Sequence, residues 1–523
     1  MTRKKEMRSH VMMLSSLGHG HLIPFMQLAQ KMAAEGLTLS FVTTFHHIPS
    51  LRKKVEDARE AGLEIHLLEM EIPRDHMNIN SAQWNQMPPM LSANERLQPH
   101  FDHFLGRFLA GEISFLPSPV CLIADFLLGW SSAVAQKFGI PRVCFETSGM
   151  YAESVHQVIW DTLPRNLPRT ESGQYLVPGM PREVRLSRLQ ILPELPEATT
   201  ENGTYQFWLK NRAGNKQSWR TIVNTFDELE GEFVHHFERV NGTLRTIGPL
   251  LQPEAFQDGE CKRIALTVDM GVREDGDKCM QWLDAQAESS VLYISFGSQN
   301  SISIVQMEEL ALGLESSGVK FLWVLRTPSD ALQNSFESVL DFLPAGLQGR
   351  MVGNDQGLFV LGWAPQLGIL KHAAIGGFLS HCGWNAVLES TTMGIPLIAW
   401  PLRAEQHFNS KFVVDEIGIA LEAPQRIEQN WLVTRDDVER IVRLLMIEDK
   451  GKELRKRVKE LAAAAKTAVA EGGSSSQNFD LFVSEIMALP EATDMKGKTV
   501  KSIIHQVGQP IGICNECDSS NLI

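Results

Sequence analysis

The sequence predicts an α/β protein with two Rossmann-like, doubly wound domains that face each other across a cleft. At 523 residues, the chain is longer than one hydrophobic core usually supports. Short apolar runs that suit buried strands alternate with helical patterns in both halves of the chain. A polar stretch, residues 254–277, separates the halves and is typical of an interdomain linker.

The first half opens with a strand, a loop, a helix and a second strand. These elements are predicted over residues 11–14, 15–23, 24–34 and 37–43. The loop lacks the third glycine of the dinucleotide fingerprint, and a histidine stands where a pyrophosphate would need bare backbone. We therefore expect this loop to carry chemistry rather than to bind a dinucleotide.

Two amphipathic helices are predicted next, over residues 48–61 and 95–109. The loop between them, residues 71–91, carries adaptable apolar side chains: Met77, Trp84, Met87 and Met90. They either line a pocket for an apolar ligand or pack the loop onto the domain, and the sequence leaves both open. Further on, residues 165–204 are rich in Pro and Gly and predict a long loop system.

Five short apolar runs predict the second sheet, at residues 291–296, 322–326, 358–361, 375–379 and 397–400. A helical pattern begins near Gly383, and Gly394 and Pro396 end it. Because a helix start offers free N–H groups and glycine allows close approach, this turn suits a nucleotide diphosphate. Trp363 can offer a flat face to a base, and Glu389 can accept hydrogen bonds from ribose. The plainer alternative is an ordinary β–α–β unit with solvated loop residues.

Residues 363–406, WAPQLGILKHAAIGGFLSHCGWNAVLESTTMGIPLIAWPLRAEQ, resemble the signature box of plant family 1 UDP-dependent glycosyltransferases. The resemblance covers roughly residues 10–490 and implies the two-domain fold called GT-B. It implies that Trp363 stacks on uracil and that the Ala364 backbone bonds the edge of the base. It also implies that Gln366 and Glu389 hold the ribose.

The same resemblance assigns the rest of the donor. It implies diphosphate contacts from His381, Gly383 and Asn385, with Ser298 in a second loop at the diphosphate. It implies sugar contacts from Thr147, Trp384, Glu405 and Gln406. It also places the last strand of the first domain within residues 221–229, with the exit at residues 248–250.

Two positions depart from the family pattern. The family usually has Ser after Trp-Asn, whereas this chain has Ala386, so a hydroxyl contact to phosphate is expected to be missing. Arg403 stands where an aromatic residue is more frequent. We expect Arg403 to face solvent or pair with an acid, and the alternative is a contact with the carboxylate of a uronic acid.

The catalytic candidates are His21 and Asp125. Gly20-His21-Leu22-Ile23-Pro24 matches the family's Gly-His-x-x-Pro pattern, which implies His21 as the general base and excludes His19. A base needs an acid that orients its ring and stabilises the imidazolium. Asp125 follows a predicted strand, residues 122–124, where the family keeps that acid. The alternatives are that His21 and Asp125 only cap helices.

The amino-acid composition limits which partners and which cellular compartment we expect. The formal net charge of −13 argues against nucleic acid or an anionic membrane as the main partner. Seven scattered cysteines fit a reducing compartment, and Cys514 and Cys517 form a lone CxxC that we interpret as incidental. Neither a signal peptide nor a membrane span is apparent, so we expect a cytoplasmic protein. We also expect a monomer.

We expect five parts along the chain. They are an acceptor-binding domain 1–250, a linker 251–278, a UDP-sugar-binding domain 279–473, a C-terminal helix 474–490 and a tail 491–523.

The implied function is inverting transfer of a sugar, with UDP-glucose as the expected co-substrate and neither a cofactor nor a metal ion. The expected acceptor is a small apolar molecule with a hydroxyl group, such as a phenolic, a flavonoid, a terpenoid or a hormone. A UDP-sugar epimerase of the same architecture and a non-catalytic UDP-sugar sensor are the alternatives. A nicotinamide dehydrogenase is disfavoured, because neither half has the required glycine spacing.

Overall fold

A computed structural model describes residues 9–73, 89–113, 116–188, 190–191, 199–257, 273–298, 300–326, 339–426 and 431–490. Several expectations fall outside these ranges: Met77, Trp84, Met87, most of the linker, and the tail 491–523 with its two cysteines. The described residues contain both predicted sheets and the whole signature box.

The strands, numbered in chain order, are β1 His10–Leu14, β2 Thr38–Thr43, β3 Ile65–Glu69, β4 Cys121–Asp125, β5 Arg142–Glu146, β6 Tyr175–Val177, β7 Val184–Leu186, β8 Arg220–Val223, β9 Leu244–Thr246, β10 Val291–Ser295, β11 Lys320–Leu325, β12 Gly357–Leu361, β13 Ile375–Ser380, β14 Leu397–Ala399 and β15 Ala420–Glu422.

The helices are α1 His19–Ala34, α2 Ile48–Glu60, α3 Pro89–Leu109, α4 Ser131–Lys137, α5 Met150–Thr162, α6 Gly203–Asn215, α7 Asp227–Asn241, α8 Arg273–Asp284, α9 Ile304–Ser317, α10 Leu347–Gly353, α11 Gln366–Lys371, α12 Trp384–Met393, α13 Gln406–Lys411, α14 Arg435–Met446, α15 Asp449–Val469 and α16 Ser474–Met487.

Two parallel sheets organise these elements, and the predicted doubly wound fold is confirmed. The first sheet has the order β3-β2-β1-β4-β5-β8-β9, and the second has the order β12-β11-β10-β13-β14-β15. The strand order reverses between β1 and β4 in the first sheet and between β10 and β13 in the second. Crevices at such reversals, beyond the carboxyl ends of the strands, are where doubly wound sheets bind ligands.

Three local predictions were wrong. The first helix begins at His19 rather than at residue 24, so His21 lies in its first turn and not in a loop. The stretch 165–204 contains an antiparallel hairpin, β6–β7, within the predicted loop system. The last strand of the first sheet does not lie within residues 221–229, because β8 ends at Val223, α7 begins at Asp227 and β9 then forms the sheet edge.

Pro24 lies inside α1 and alters one of its hydrogen bonds. Proline has no backbone N–H, so Pro24 cannot donate to the carbonyl oxygen of Gly20 four residues earlier. The Gly20 carbonyl is therefore left for a donor outside the helix.

The C-terminal helix α16 packs against the first sheet. Phe479, Phe482 and Ile486 are buried in the core that also contains strands β1, β2 and β4. The carboxylate of Glu485 pairs with Arg245 at 2.6 Å and with Arg220 at 3.1 Å. The chain thus returns to its first sheet after completing its second, while the domain boundaries given above stay predictions.

In the described part of the chain, no helix combines the length and the apolar character needed to cross a membrane.

Candidate active site

A cavity of about 380 Å³ lies at the carboxyl ends of both sheets. Every residue predicted for the site lines this cavity, except Asp125, which lies behind His21. Met90 also lines it, which favours the pocket-lining alternative for that methionine. The topology therefore brings residues from loops more than 200 positions apart into one chamber.

His21 is held by Asp125 through one ring nitrogen. Its Nδ1 lies 2.8 Å from Oδ2 of Asp125, which is fully buried at the end of β4. The other carboxylate oxygen, Oδ1, accepts from the backbone N–H of Leu127 at 2.9 Å. The capping alternative for Asp125 is wrong, because α4 begins only at Ser131 and the carboxylate instead fixes a turn and an imidazole.

Thr147 lies against the same ring nitrogen. Its Oγ1 is 3.0 Å from Nδ1 of His21, and Phe126 stacks on the ring with centroids 5.7 Å apart. With Nδ1–H donating to the carboxylate, Nε2 is left as the proton-accepting nitrogen on the cavity side. The predicted contact of Thr147 with the donor sugar stays a prediction.

The protonation of His21 reflects opposing effects. Burial lowers the pKa of the imidazole, but the negative charge and hydrogen bond of Asp125, helped by Glu405, outweigh it and raise the pKa overall. An imidazolium in this position is therefore stabilised by charges already in place, as a general base requires.

The start of α12 forms the predicted anion site. Gly383 precedes the helix in an extended conformation and offers no side-chain cap, so the first N–H groups of α12 are left for a ligand. A Cβ atom on Gly383 would lie 2.5 Å from Nε2 of His381, and one on Gly297 would lie 2.6 Å from Cε1 of the same ring. The two glycines therefore make room for the imidazole.

His381 is neutral in this setting. Burial, followed by the positive charge of Arg403, lowers the pKa of the imidazole to about 4. A neutral ring can donate one hydrogen bond to a phosphate oxygen without the cost of a buried charge.

The nucleoside end contains partners that the sequence did not suggest. Gln366 donates to Glu389 at 2.7 Å and accepts from the hydroxyl of Tyr293 at 3.2 Å. The guanidinium of Arg326 lies 5.3 Å from the ring of Trp363. Neither Tyr293 nor Arg326 belongs to the signature box, so only the register of β10 with its two neighbours, β11 and β13, could have found them.

At the sugar end, the side chains of Trp384 and Asn385 are already engaged across the cleft. The indole N–H of Trp384 donates to the carbonyl oxygen of Asn224 at 2.8 Å, and the ring packs on Gly149. The amide of Asn385 donates to the carbonyl oxygen of Gly20 at 2.8 Å. Asn385 thus supplies the donor that Pro24 lacks, and sugar or phosphate contacts by these two residues must use the remaining atoms.

The side chains of Gln406 and Arg403 have surroundings that the sequence did not predict. The Oε1 atom of Gln406 accepts from the backbone N–H groups of Leu402 and Arg403, each at 3.1 Å. Only the Nε2 donor side of this amide is then left for a sugar hydroxyl. Arg403 is exposed but also lines the cavity, so the expectation that it simply faces solvent is incomplete.

Sequence reasoning missed the polar residues at the acceptor side of the cavity. Glu153 and His156 on α5 line it together with Trp160 and Trp208. The two polar residues are three positions apart on one helical face, and this spacing after Thr147 was the available signal.

Comparison with known proteins decides the family. Residues 271–455 match the family described as UDP-glucoronosyl and UDP-glucosyl transferase. The chain is 34% identical to UDP-glycosyltransferase 73C3 of Arabidopsis thaliana, over 92% of this chain and 97% of that protein. It is also 34% identical to UDP-glycosyltransferase 73E1 of Stevia rebaudiana, over 91% and 96%. The chain belongs to the plant family 1 UDP-glycosyltransferases.

Solved structures agree with this glycosyltransferase in fold. UGT73P12 of Glycyrrhiza uralensis, complexed with glycyrrhetinic acid 3-O-monoglucuronide, superposes with a TM-score of 0.77 at 28% identity, over 92% of this chain and 96% of that chain. UGT71G1 of Medicago truncatula, complexed with UDP-glucose, gives 0.74 at 26% identity, over 92% and 99%. The GT-B prediction is confirmed, and these neighbours do not favour an epimerase or a sensor.

Proposed function

We propose that this enzyme transfers glucose from UDP-glucose to a hydroxyl group of a small apolar acceptor, with inversion at the anomeric carbon. The observation that carries the proposal is the 2.8 Å contact between His21 and Asp125, at the edge of a cavity that also contains the start of α12. A general base and an anion site in one cavity suit a reaction in which an acceptor hydroxyl attacks the sugar and UDP leaves.

In the proposed reaction, Nε2 of His21 takes the proton from the acceptor hydroxyl. The acceptor oxygen then forms a bond to the anomeric carbon, on the face opposite the breaking bond to the diphosphate oxygen. Asp125 stabilises the imidazolium that results. The N–H groups and the dipole of α12 stabilise the negative charge that develops on UDP.

We propose that this charge stabilisation comes from the protein rather than from a metal ion. The neutral His381 and the free N–H groups of α12 supply hydrogen bonds to the diphosphate, and Arg403 supplies a nearby positive charge. Turnover that is unchanged by a chelator would support this, and turnover restored only by an added divalent cation would contradict it.

Glucose is proposed as the transferred sugar for two reasons. The similar UGT71G1 was solved with UDP-glucose, and UGT2 of Phytolacca americana, 27% identical over 91% of this chain, was solved with UDP-2fluoro-glucose and pterostilbene. In addition, Gln406 ends the signature box and lines the cavity, and because its Oε1 is bonded to the backbone, its amide N–H₂ is the group left for a sugar hydroxyl. Pterostilbene is a phenolic, which supports an acceptor of that kind here as well.

A cytoplasmic location is also proposed. Four cysteines of the described chain, Cys121, Cys144, Cys279 and Cys382, are buried free thiols, as a reducing compartment favours. The monomeric state stays a prediction.

The test of the proposed function is the His21→Ala variant. We expect kcat to fall by roughly 100-fold or more, the usual scale for a general base, while UDP binding changes little. His19→Ala is the matched control, because it removes the competing histidine two positions away. Turnover of a phenolic acceptor that survives in His21→Ala but not in His19→Ala would show that the base is assigned to the wrong residue.

A further inference from the structure

The acceptor side of the cavity contains two buried polar groups within a largely apolar wall. Glu153 and His156 lie one turn apart on α5, and their side chains are only 9% and 10% exposed. Leu91, Phe126 and Trp208 line the cavity around them. Within the described residues, the carboxyl group of Glu153 accepts no side-chain hydrogen bond, and its Oε2 lies 3.9 Å from Nδ1 of His156. That distance is too long for a hydrogen bond.

The tautomer of His156 follows from its other neighbour. The indole N–H of Trp160 can only donate, and it donates to Nε2 of His156 at 2.8 Å. Burial, followed by the charge of Arg212, lowers the pKa of this imidazole to about 3, so the ring is neutral. The ring proton is therefore on Nδ1, the nitrogen on the Glu153 side.

Glu153 can both donate and accept a hydrogen bond. Burial raises the pKa of its carboxyl group to about 8, with Arg212 opposing this change and Glu405 adding to it. A carboxyl group that is largely protonated at neutral pH has an O–H donor as well as acceptor lone pairs.

Buried polar groups without partners are unfavourable, and a ligand that supplies the partners gains affinity from them. We propose that Glu153 and His156 form a hydroxyl-binding subsite, so that the preferred acceptors are apolar molecules with a second hydroxyl besides the one that His21 deprotonates. That hydroxyl group would accept a hydrogen bond from Nδ1–H of His156 and donate a hydrogen bond to the carboxyl group of Glu153. The inference rests on the proposed function, because it takes His21 as the base.

Three steroid phenols test the subsite, because they share the phenol and differ at the distal ring. Estradiol carries a distal hydroxyl, estrone carries a ketone and estratrienol carries no distal oxygen. Dissociation constants without donor, from quenching of tryptophan fluorescence, report binding separately from transfer. We expect the wild-type enzyme to bind both estradiol and estrone about 10- to 100-fold more tightly than estratrienol, because a ketone oxygen can accept from Nδ1–H of His156 and from the O–H of Glu153. Resveratrol and pterostilbene, which differ by hydroxyl against methoxy groups, repeat the comparison on a shorter scaffold.

Two variants separate hydrogen bonding from packing. In Glu153→Met, the estradiol-to-estratrienol ratio should fall below about threefold, because the carboxyl group is gone. In Glu153→Gln, an amide of the same shape should keep most of the ratio. Gln157→Met is the matched control, because Gln157 lies on α5 but bonds Asn241 outside the cavity. This variant should keep the wild-type ratio.

The outcomes distinguish the two proposals. A wild-type ratio near one on both scaffolds, or a ratio unchanged in Glu153→Met, would overturn the subsite. Selective binding of estradiol without any transfer from UDP-glucose to these phenols would support the subsite and count against the proposed function.

Discussion

Replacing Asp125 with asparagine tests the proposed base through a change of one atom. The two carboxylate oxygens have separate partners, the backbone N–H of Leu127 at 2.9 Å and Nδ1 of His21 at 2.8 Å. The asparagine oxygen can serve only one of them. Because a backbone N–H cannot change its role, we expect the oxygen to stay with Leu127 and the amide N–H₂ to face His21.

An N–H₂ group in that place reverses the tautomer of His21. Nδ1 must then accept a hydrogen bond, so the ring proton moves to Nε2, the nitrogen that has to take the acceptor's proton. We expect kcat to fall by roughly 1,000- to 10,000-fold, the scale known for a triad histidine held in the wrong tautomer. UDP binding, measured by calorimetry, should change little.

The pH profile gives a second readout. His21 is active as the neutral base, so wild-type kcat/KM, which reports the free enzyme, should rise as the pH passes upward through its raised pKa. In Asp125→Asn, the negative charge is lost while burial still lowers the pKa, so the acidic limb should move to lower pH beneath a reduced plateau. Asp102→Asn is the control, because Asp102 is a surface acid paired with Lys137. A kcat within about threefold of wild type and an unmoved acidic limb would refute the proposed dyad.

Three further predictions concern the donor. Ala386→Ser should tighten UDP-glucose binding by at most about 1.5–3 kcal/mol, one hydrogen bond to a charged group, and an unchanged Kd in calorimetry would contradict this. Gly297→Ala should weaken UDP binding and lower Tm, since its φ is +77° and the new Cβ would meet His381 at 2.6 Å. Gly349→Ala, where nothing lies within 4 Å of the new Cβ, should do neither. In competition at equal concentrations, UDP-glucose should be used before UDP-galactose and UDP-glucuronic acid, because a misplaced hydroxyl leaves the Gln406 amide unpaired. A preference for glucuronic acid that disappears in Arg403→Ala would overturn the glucose assignment.

The sequence predicted the site well where its chemistry is local. Gly383, the helix after it and the proposed ribose ligands Gln366 and Glu389 belong to one continuous stretch, and strand periodicity placed that stretch at the carboxyl ends of parallel strands. His21 and Asp125 were chosen from the family resemblance, and the structure shows why they meet, because the parallel strands β1 and β4 bring their carboxyl ends together.

The features that the sequence did not predict have a common physical origin. They depend on contacts between distant residues or on hydrogen bonds to backbone N–H and C=O groups. Pro24 suggested a helix start, yet the helix begins five residues earlier because the Gly20 carbonyl finds a donor in Asn385, 365 positions away. The indole N–H of Trp384 donates to the carbonyl oxygen of Asn224, and the amide oxygen of Gln406 accepts from the backbone of its own turn. Hydrogen-bond partners of this kind cannot be inferred from motif identity.

The proline within α1 has a consequence for chimeras that join domains of this enzyme and its relatives. The carbonyl group that Pro24 leaves without an intrahelical donor belongs to Gly20, the residue before the proposed base. The amide that donates to it belongs to Asn385, in the first turn of α12, where the diphosphate is proposed to bind. This hydrogen bond, with the one from Trp384 to Asn224, therefore sets the position of His21 relative to the proposed donor site. A chimera that joins the first half of one relative to the second half of another inherits this register only when both partners, the helical proline and the facing asparagine, are kept together.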